Sequence, residues 1–468
     1  MTAAGGRAAA PARPRFGVVV QYALLAGPLL SMVDSSIVNV AVEPIARQLH
    51  TPLTTVQWAV SGYLLAMGTG LAATSYLARR AGTLTLCRAS LIAFTLASAA
   101  CAAAPGVDML VAARVVQGLA GAPLVPLAMS MMLGSGDTTR SISPLAGILL
   151  FLGPALGPSV GGALIAVAGW RTIFLINVPI GAVAAVSATR IPAALAPGRD
   201  EAARFDLPGL LLLAVGLTLL LLGASQGGLR GWSAPASWLP LAAGAALLAG
   251  YAGWGAHRDH PALDLSLLRN RGCALALLLC AAASVVTYST VFLLPVFVQS
   301  VQGHSAPATG LAMLPAGVIT GVSTVLGQRL LGRVSVRATV LAGFTVLAVA
   351  SLGLLAIGAH TPLAVTAVIL AARAASIGLV ITPLLTVLLR WLAPGQLADA
   401  NTLFSIWQRI AGSFGVGVIA ALFAAQARQR GPVAGLHVTG MAIAAVAAIA
   451  AIAAVALPPI RNTAFADR

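Results

Sequence analysis

Asp34 lies in the stretch Ser31-Met32-Val33-Asp34-Ser35-Ser36-Ile37-Val38-Asn39, inside an apolar run from Val18 to Ala41. A carboxylate at the centre of such a helix costs about 2.5–3.5 kcal/mol even on the low insertion scales, and it faces a bundle interior or a wet cavity. The chemistry open to it there is the binding and release of a proton. Ten other acidic residues, Glu43, Asp108, Asp137, Asp200, Glu201, Asp206, Asp259, Asp264, Asp399 and Asp467, fall in loops or at the ends of apolar runs. Asp34 is therefore the one strong candidate for an intramembrane proton carrier. At 100° per residue, Gln21, Ser31, Asp34, Ser35 and Asn39 share an arc of about 140°. Such a face is expected to line a cavity or to meet polar partners, although hydrogen bonds that merely tie helices together would explain the serines as well.

Arginine is the second costly residue type. Arg114 opens Arg114-Val115-Val116-Gln117-Gly118 and sits seven residues inside its run, as Asp34 does in the first, so both lie about 10 Å deep. They are expected to face each other or to share a proton relay; a structural Arg114 bonded to carbonyls is the competing reading. Arg373 and Arg409 are also deep, suited to an anionic substrate group or to backbone oxygens, and Gln117 and Tyr288 complete the candidate cavity residues. Farther along, Gly153, Gly157 and Gly161 recur every four residues beside Gly162, interleaved with Pro154 and Pro158. The glycines allow close helix approach and each proline removes a backbone bond. This predicts a bent helix on which two halves rock.

These residues need helices to hold them. Of 468 residues 59% are hydrophobic and 8% charged, with a mean hydropathy of +0.96; soluble domains are roughly 25% charged. Apolar runs of the length that crosses a bilayer as a helix recur almost without pause. We count fourteen, from Val18–Ala41 to Ala434–Leu457, and expect an all-α polytopic membrane protein. With the N-terminus inside, 19 arginines fall in inner segments and 5 in outer ones, the bias that sets orientation. Both termini are expected to be cytoplasmic.

Weak repeats support a duplication. Ala112-Ala113-Arg114 matches Ala371-Ala372-Arg373 at an offset of 259, Arg80 matches Arg333 at 253, and His50 matches His304 at 254. An offset of 254 sets Tyr288 opposite Asp34. Two six-helix bundles related in this way, as in many secondary transporters, would then flank an inserted two-helix hairpin. The expected segments are a disordered tail at 1–16, a first bundle at 17–190, a linker at 191–206, the hairpin at 207–256, a linker at 257–272, a second bundle at 273–457 and a tail at 458–468.

Other classes recede. The net charge of +16 comes wholly from arginine and distributes as a topology signal, so no nucleic-acid partner is expected. Cys87, Cys101, Cys273 and Cys280 lie in apolar runs and read as small hydrophobes. The six histidines are expected in loops without metal spacing, and neither metal nor cofactor is expected. There is no His-Glu-x-x-His, and without lysine there is no phosphate loop ending in Lys.

Together these motifs resemble the fourteen-span drug:proton antiporters of the major facilitator superfamily. The family's first-span pattern stands at Asp34–Pro44, its Arg-x-x-Gln-Gly at Arg114, Gln117 and Gly118, its antiporter pattern at Gly153–Gly162, and its Trp-Arg to Pro-Ile-Gly signature at Trp170–Gly181. One departure stands after the second span. The family's Gly-x-Leu-Ala-Asp-Arg-x-Gly-Arg-Lys is here Ser75-Tyr76-Leu77-Ala78-Arg79-Arg80-Ala81-Gly82-Thr83-Leu84, so Arg79 replaces the Asp of a cytoplasmic gate loop that retains Arg80 and Gly82. The resemblance implies a proton-coupled exporter of amphipathic small molecules in the plasma membrane, working as a monomer by alternating access. An uptake symporter, or an exporter dedicated to one metabolite, is the alternative.

Overall fold

A computed structural model describes residues 18–133, 157–193, 206–258, 261–390 and 397–457, apart from 232, 263–264 and 332. Every regular element among the described residues is a helix. The first half runs through α1 (Val18–Ile37), a 3₁₀ turn at Val38–Val40, α2 (Val42–Gln48), α3 (Leu53–Val56), α4 (Trp58–Ala81), α5 (Thr83–Ala103), α6 (Val107–Gly121) and α7 (Leu124–Leu133). It continues with α8 (Gly157–Ala168), α9 (Thr172–Leu175) and α10 (Asn177–Ser187). Next come α11 (Leu207–Arg230) and α12 (Pro235–Gly255). The last six are α13 (Arg271–Ser300), α14 (Ala306–Leu330), α15 (Val336–Leu352), α16 (Leu363–Arg390), α17 (Leu397–Arg430) and α18 (Pro432–Ala454).

Among the described residues, 12 helical segments are long and apolar enough to cross a membrane. Two expected spans are not among them, for different reasons. Helix α4 has 24 residues but carries Ser61, Gly62, Tyr63, Gly68, Thr69, Gly70 and Thr74, residues that suit packing against protein on both flanks rather than against lipid. Of the fifth span only α8 is described; Gly153 and Pro154 lie outside the described residues. Where the fourth span was expected to be continuous, α6 and α7 are joined across Ala122 and Pro123, whose ring nitrogen cannot donate.

Helices α1, α5, α6, α7 and α10 pack on one another, with α4 along α6; α13 to α18 do the same among themselves. The pattern repeats: α4 lies on α6 as α14 lies on α16, and α5 on α6 as α15 on α16. Helices α11 and α12 pair, and α11 runs along α17 and α4. Asp206 fastens the base of that pair. Buried at the N-cap of α11, it accepts from the backbone of Gly209 at 2.9 Å, the Trp254 indole at 2.8 Å and the backbone of Ala262 at 3.3 Å.

The two halves meet at the end where α1 and α13 finish and α4 and α14 begin. The Gln299 side-chain amide donates to the Val40 carbonyl at 3.0 Å, the Ser159 hydroxyl to the Gly310 carbonyl at 2.8 Å, and the Ser413 hydroxyl to the Ser61 carbonyl at 2.7 Å. The small residues of α8 make this approach possible. A methyl group at Gly161 would stand 2.6 Å from Ile37 Cγ1, and one at Gly162 would stand 2.5 Å from the Ala306 carbonyl oxygen. At the opposite end of α4, Gly82 turns the chain into α5 with φ +89°, a left-handed conformation that side chains resist.

One histidine departs from expectation. His437 lies within α18, not in a loop, and bonds the Ile357 carbonyl at 3.0 Å. The four cysteines are free and buried, and no cluster among the described residues could hold a metal.

Candidate functional site

Helix α6 buries the face carrying Leu110, Ala113, Arg114, Gln117, Gly118 and Gly121, which recur at three- and four-residue steps. Val116 and Leu119 point outward. Gly118 lets this face approach α4 closely, since a methyl there would meet the Tyr63 carbonyl oxygen at 2.5 Å. Arg114 and Gln117 are thereby driven inward toward α1. Their target is Asp34, which is 0% exposed; Arg114 is 1% and Gln117 0% exposed.

Three donors converge on the Asp34 carboxylate. Arg114 Nη1 is 2.5 Å from Oδ2, Gln117 Nε2 is 3.0 Å from Oδ1, and Asn177 Nδ2 is 2.9 Å from the same Oδ1. Arg114 is itself oriented by bonds from Nε to the Ala59 carbonyl at 2.9 Å and from Nη1 to Gln117 Oε1 at 2.8 Å. Its guanidinium lies over the Tyr63 ring at 3.9 Å, and the Tyr63 hydroxyl donates to the Ser31 carbonyl at 3.3 Å. Gln117 Nε2 also donates to the Ser98 hydroxyl at 2.7 Å. An ionised carboxylate only accepts, whereas a protonated one must donate. A proton arriving at Asp34 would remove the charge that answers Arg114 and turn one carboxylate oxygen from an acceptor into a donor. The arrangement couples the charge of one side chain to the packing of α1, α4, α6 and α10.

A sequence model described as the Major Facilitator Superfamily matches residues 24–416. The chain belongs to the major facilitator superfamily. It is 33% identical over 407 residues to a Multidrug resistance protein B homolog of Mycobacterium tuberculosis, covering 85% of this chain and 74% of that protein. It is 29% identical to the Multidrug export protein EmrB of Escherichia coli, covering 87% and 80%. It is 33% identical to a Methylenomycin A resistance protein of Streptomyces coelicolor, covering 78% and 76%. The D-xylose-proton symporter structure shares the fold, with a TM-score of 0.66 at 15% identity over 94% of this chain and 98% of that one.

In this facilitator Asp34 and Arg114 meet directly, but several other candidates on the same helix do not join them. Ser35 donates to the Met32 carbonyl at 2.7 Å and Asn39 to the Ser36 carbonyl at 3.1 Å, both within or next to their own helix. Ser31 reaches the Gly121 carbonyl at 3.4 Å and helps join α1 to α6. The side chain of Gln21 lies outside the described ones. Tyr288 lies half-buried in α13, its ring against Gly412 of α17.

The second half of the facilitator has its own arginine node. Arg373, 4% exposed, donates to the Ser351 hydroxyl, to the Thr290 hydroxyl at 2.5 Å and to the Val286 carbonyl at 3.2 Å. Hydroxyls stand there where the first half has a carboxylate. Arg409 is half-buried on α17, beside Gly68 of α4. Gly157, Pro158, Gly161 and Gly162 lie where α8 meets α1 and α14. Arg79 and Arg80 are exposed at the end of α4, a helix with no acidic residue of its own.

Asn177, Ser98 and Tyr63 were not among the residues expected in the site. Asn177 carried a signal, as the one strongly polar side chain in the apolar stretch from Ile173 to Val186. It shares a buried face of α9 and α10 with Phe174 and Gly181. Two Gly-x-Ser-x-Gly stretches, Gly157–Gly161 and Gly223–Gly227, belong to helices, not to a strand-to-helix turn. Ser159 bonds Gly310 and Ser225 accepts from Gln57 at 3.3 Å, so neither meets a histidine in these bonds. They are packing serines of a transporter.

Proposed function

We propose that this facilitator is a proton-coupled exporter of amphipathic small molecules, working by alternating access. The observation that carries the reading is the sealed Asp34 carboxylate, held by Arg114, Gln117 and Asn177. The kinship with proteins named for multidrug export and antibiotic resistance supports the cargo class.

The architecture we infer has fourteen spans. Adding α4 and α8 to the 12 long apolar segments gives that number. The repeated packing of α4 on α6 and α14 on α16 supports two six-helix bundles, 17–190 and 273–457, with α11 and α12 as an inserted hairpin at 207–256. The arginine bias supports cytoplasmic termini in the plasma membrane. On that orientation the contacts from Gln299, Ser159, Gly162 and Ser413 close the outer end. Asp34 is buried and paired with Arg114 in this outward-closed state. Opening of the outer end admits a proton to Asp34, releases Arg114 from its counter-charge and favours the repacking that returns the carrier. A ligand shifts such an equilibrium only by its difference in affinity for the two states, and a carboxylate buried in one and accessible in the other provides that difference for a proton.

The test is Asp34→Asn in proteoliposomes with an imposed pH gradient, loaded with a panel of amphipathic fluorophores. Gradient-driven transport is expected to vanish while substrate exchange without a gradient and expression persist. Full gradient-driven transport by the variant would sink the mechanism.

A further inference from the structure

Three arginines lie deep in the described spans, and they differ in what holds them. Arg114 is paired with Asp34, and Arg373 is satisfied by two hydroxyls and a carbonyl. Arg409 has no hydrogen bond or ion pair with any described residue. It is nevertheless half-buried, six residues inside the apolar span Leu403–Arg430 of α17, about 9 Å from its start. A guanidinium cannot shed its charge, so a cation so placed faces a wet cavity or an anion. Among the described residues of the spans, the one deep carboxylate, Asp34, is already taken.

The surroundings of Arg409 say where that anion would sit. Its Cβ lies 3.5 Å from where a methyl of Gly68 would stand, so the side chain leaves α17 on the face turned to α4 and the other half of the molecule. One turn on, Gly412 carries the Tyr288 ring and Ser413 bonds Ser61 across the closed end. Arg409 therefore lies at the inner margin of that closure, between halves that must separate. Its charge also lies within electrostatic reach of Tyr63, whose ring covers Arg114.

We propose that Arg409 is the substrate-anion subsite of this exporter, and that its preferred cargo is an amphipathic organic anion, a hydrophobic body bearing a carboxylate. This rests on the exporter reading and gives it a substrate class. The guanidinium fork binds the carboxylate, Tyr288 offers an aromatic face beside it, and the apolar spans take the hydrophobic body. The unanswered charge of Arg409 disfavours lipophilic cations beside it.

The experiment uses three pyrene congeners with equal chains: the butanoate, its neutral amide and a trimethylammonium analogue. Binding to the purified full-length protein is measured by equilibrium dialysis in detergent, and gradient-driven transport separately in proteoliposomes. The butanoate is expected to bind about tenfold tighter than the amide, a difference of about 1.4 kcal/mol, and the cation weakest. Arg409→Gln is expected to abolish the preference for butanoate while amide binding and the thermal midpoint stay unchanged, with Arg409→Lys restoring part of it. Equal binding of cation and anion, or an unchanged preference in Arg409→Gln, overturns the proposal. Displacement of butanoate by phosphatidylglycerol at equal concentration would assign the anion to a lipid headgroup and overturn the cargo class. Butanoate binding without gradient-driven transport of any congener would instead refute export and leave the anion subsite standing.

Discussion

Asp34 concentrates three donors on one side chain, and their worth can be ranked. A hydrogen bond to a charged group contributes about 1.5–3 kcal/mol. Losing the partner of a buried ion pair costs about 3–5 kcal/mol, since the remaining charge is stranded. Asn177 donates to Oδ1 at 2.9 Å, and Gln117 donates to the same oxygen. We therefore expect Asn177→Leu to lower the thermal stability of the solubilised protein by about 1–3 kcal/mol, less than Asp34→Ala, and to slow gradient-driven transport without abolishing it. Thermal unfolding and proteoliposome flux measured side by side check this; equal damage from Asn177→Leu and Asp34→Ala would show that the amide matters as much as the ion pair. The cost of intramembrane charge made Asp34 and Arg114 legible in the sequence. Ser98 and Tyr63 were not legible, because hydroxyls are cheap in helices and commonly bond their own backbone, as Ser35 does here.

At the scale of elements, α8 acts through what it lacks. Its glycines let it touch α1 on one side and the start of α14 on the other. A methyl at Gly162 would lie 2.5 Å from the Ala306 carbonyl oxygen, well inside van der Waals contact. Gly162→Ala is expected to hold the closed end apart. A cysteine placed at Ser305, which caps α14, should then react faster with an impermeant thiol reagent added outside, and transport should fall several-fold. Unchanged labelling and flux would mean that the neighbouring backbone gives way. The Gly-x-x-x-Gly spacing is legible in the sequence, but the partner is not: spacing reports that a helix has a smooth face and is silent on which helix meets it.

Across the whole molecule, closure at one end is set against whatever holds the other. Arg79 stands where the pattern implied by the resemblance has an Asp, and it is exposed at the end of α4. We expect Arg79→Asp to shift the balance of the two facing states, read as opposite changes in cysteine accessibility at the two ends of the cleft. Unchanged accessibility at both ends would leave Arg79 as a topology charge alone. The same experiment in right-side-out vesicles tests the orientation, since Ser305 should be reached from outside and the end of α4 from inside.

Apolar runs, their lengths and the arginine bias were enough to establish a polytopic helical membrane protein, because in a bilayer each helix satisfies its own backbone and must be apolar where it meets lipid. The cost of burying charge was enough to single out Asp34, Arg114, Arg373 and Arg409. What only the tertiary structure decided is how those charges are answered: Arg114 by a carboxylate, Arg373 by hydroxyls, and Arg409 by no described residue. Partners from four different helices converge on Asp34 and Arg114, and sequence distance carries no trace of that convergence. Burial energy is a local property of a residue in its run, whereas compensation of a charge is a property of the packing.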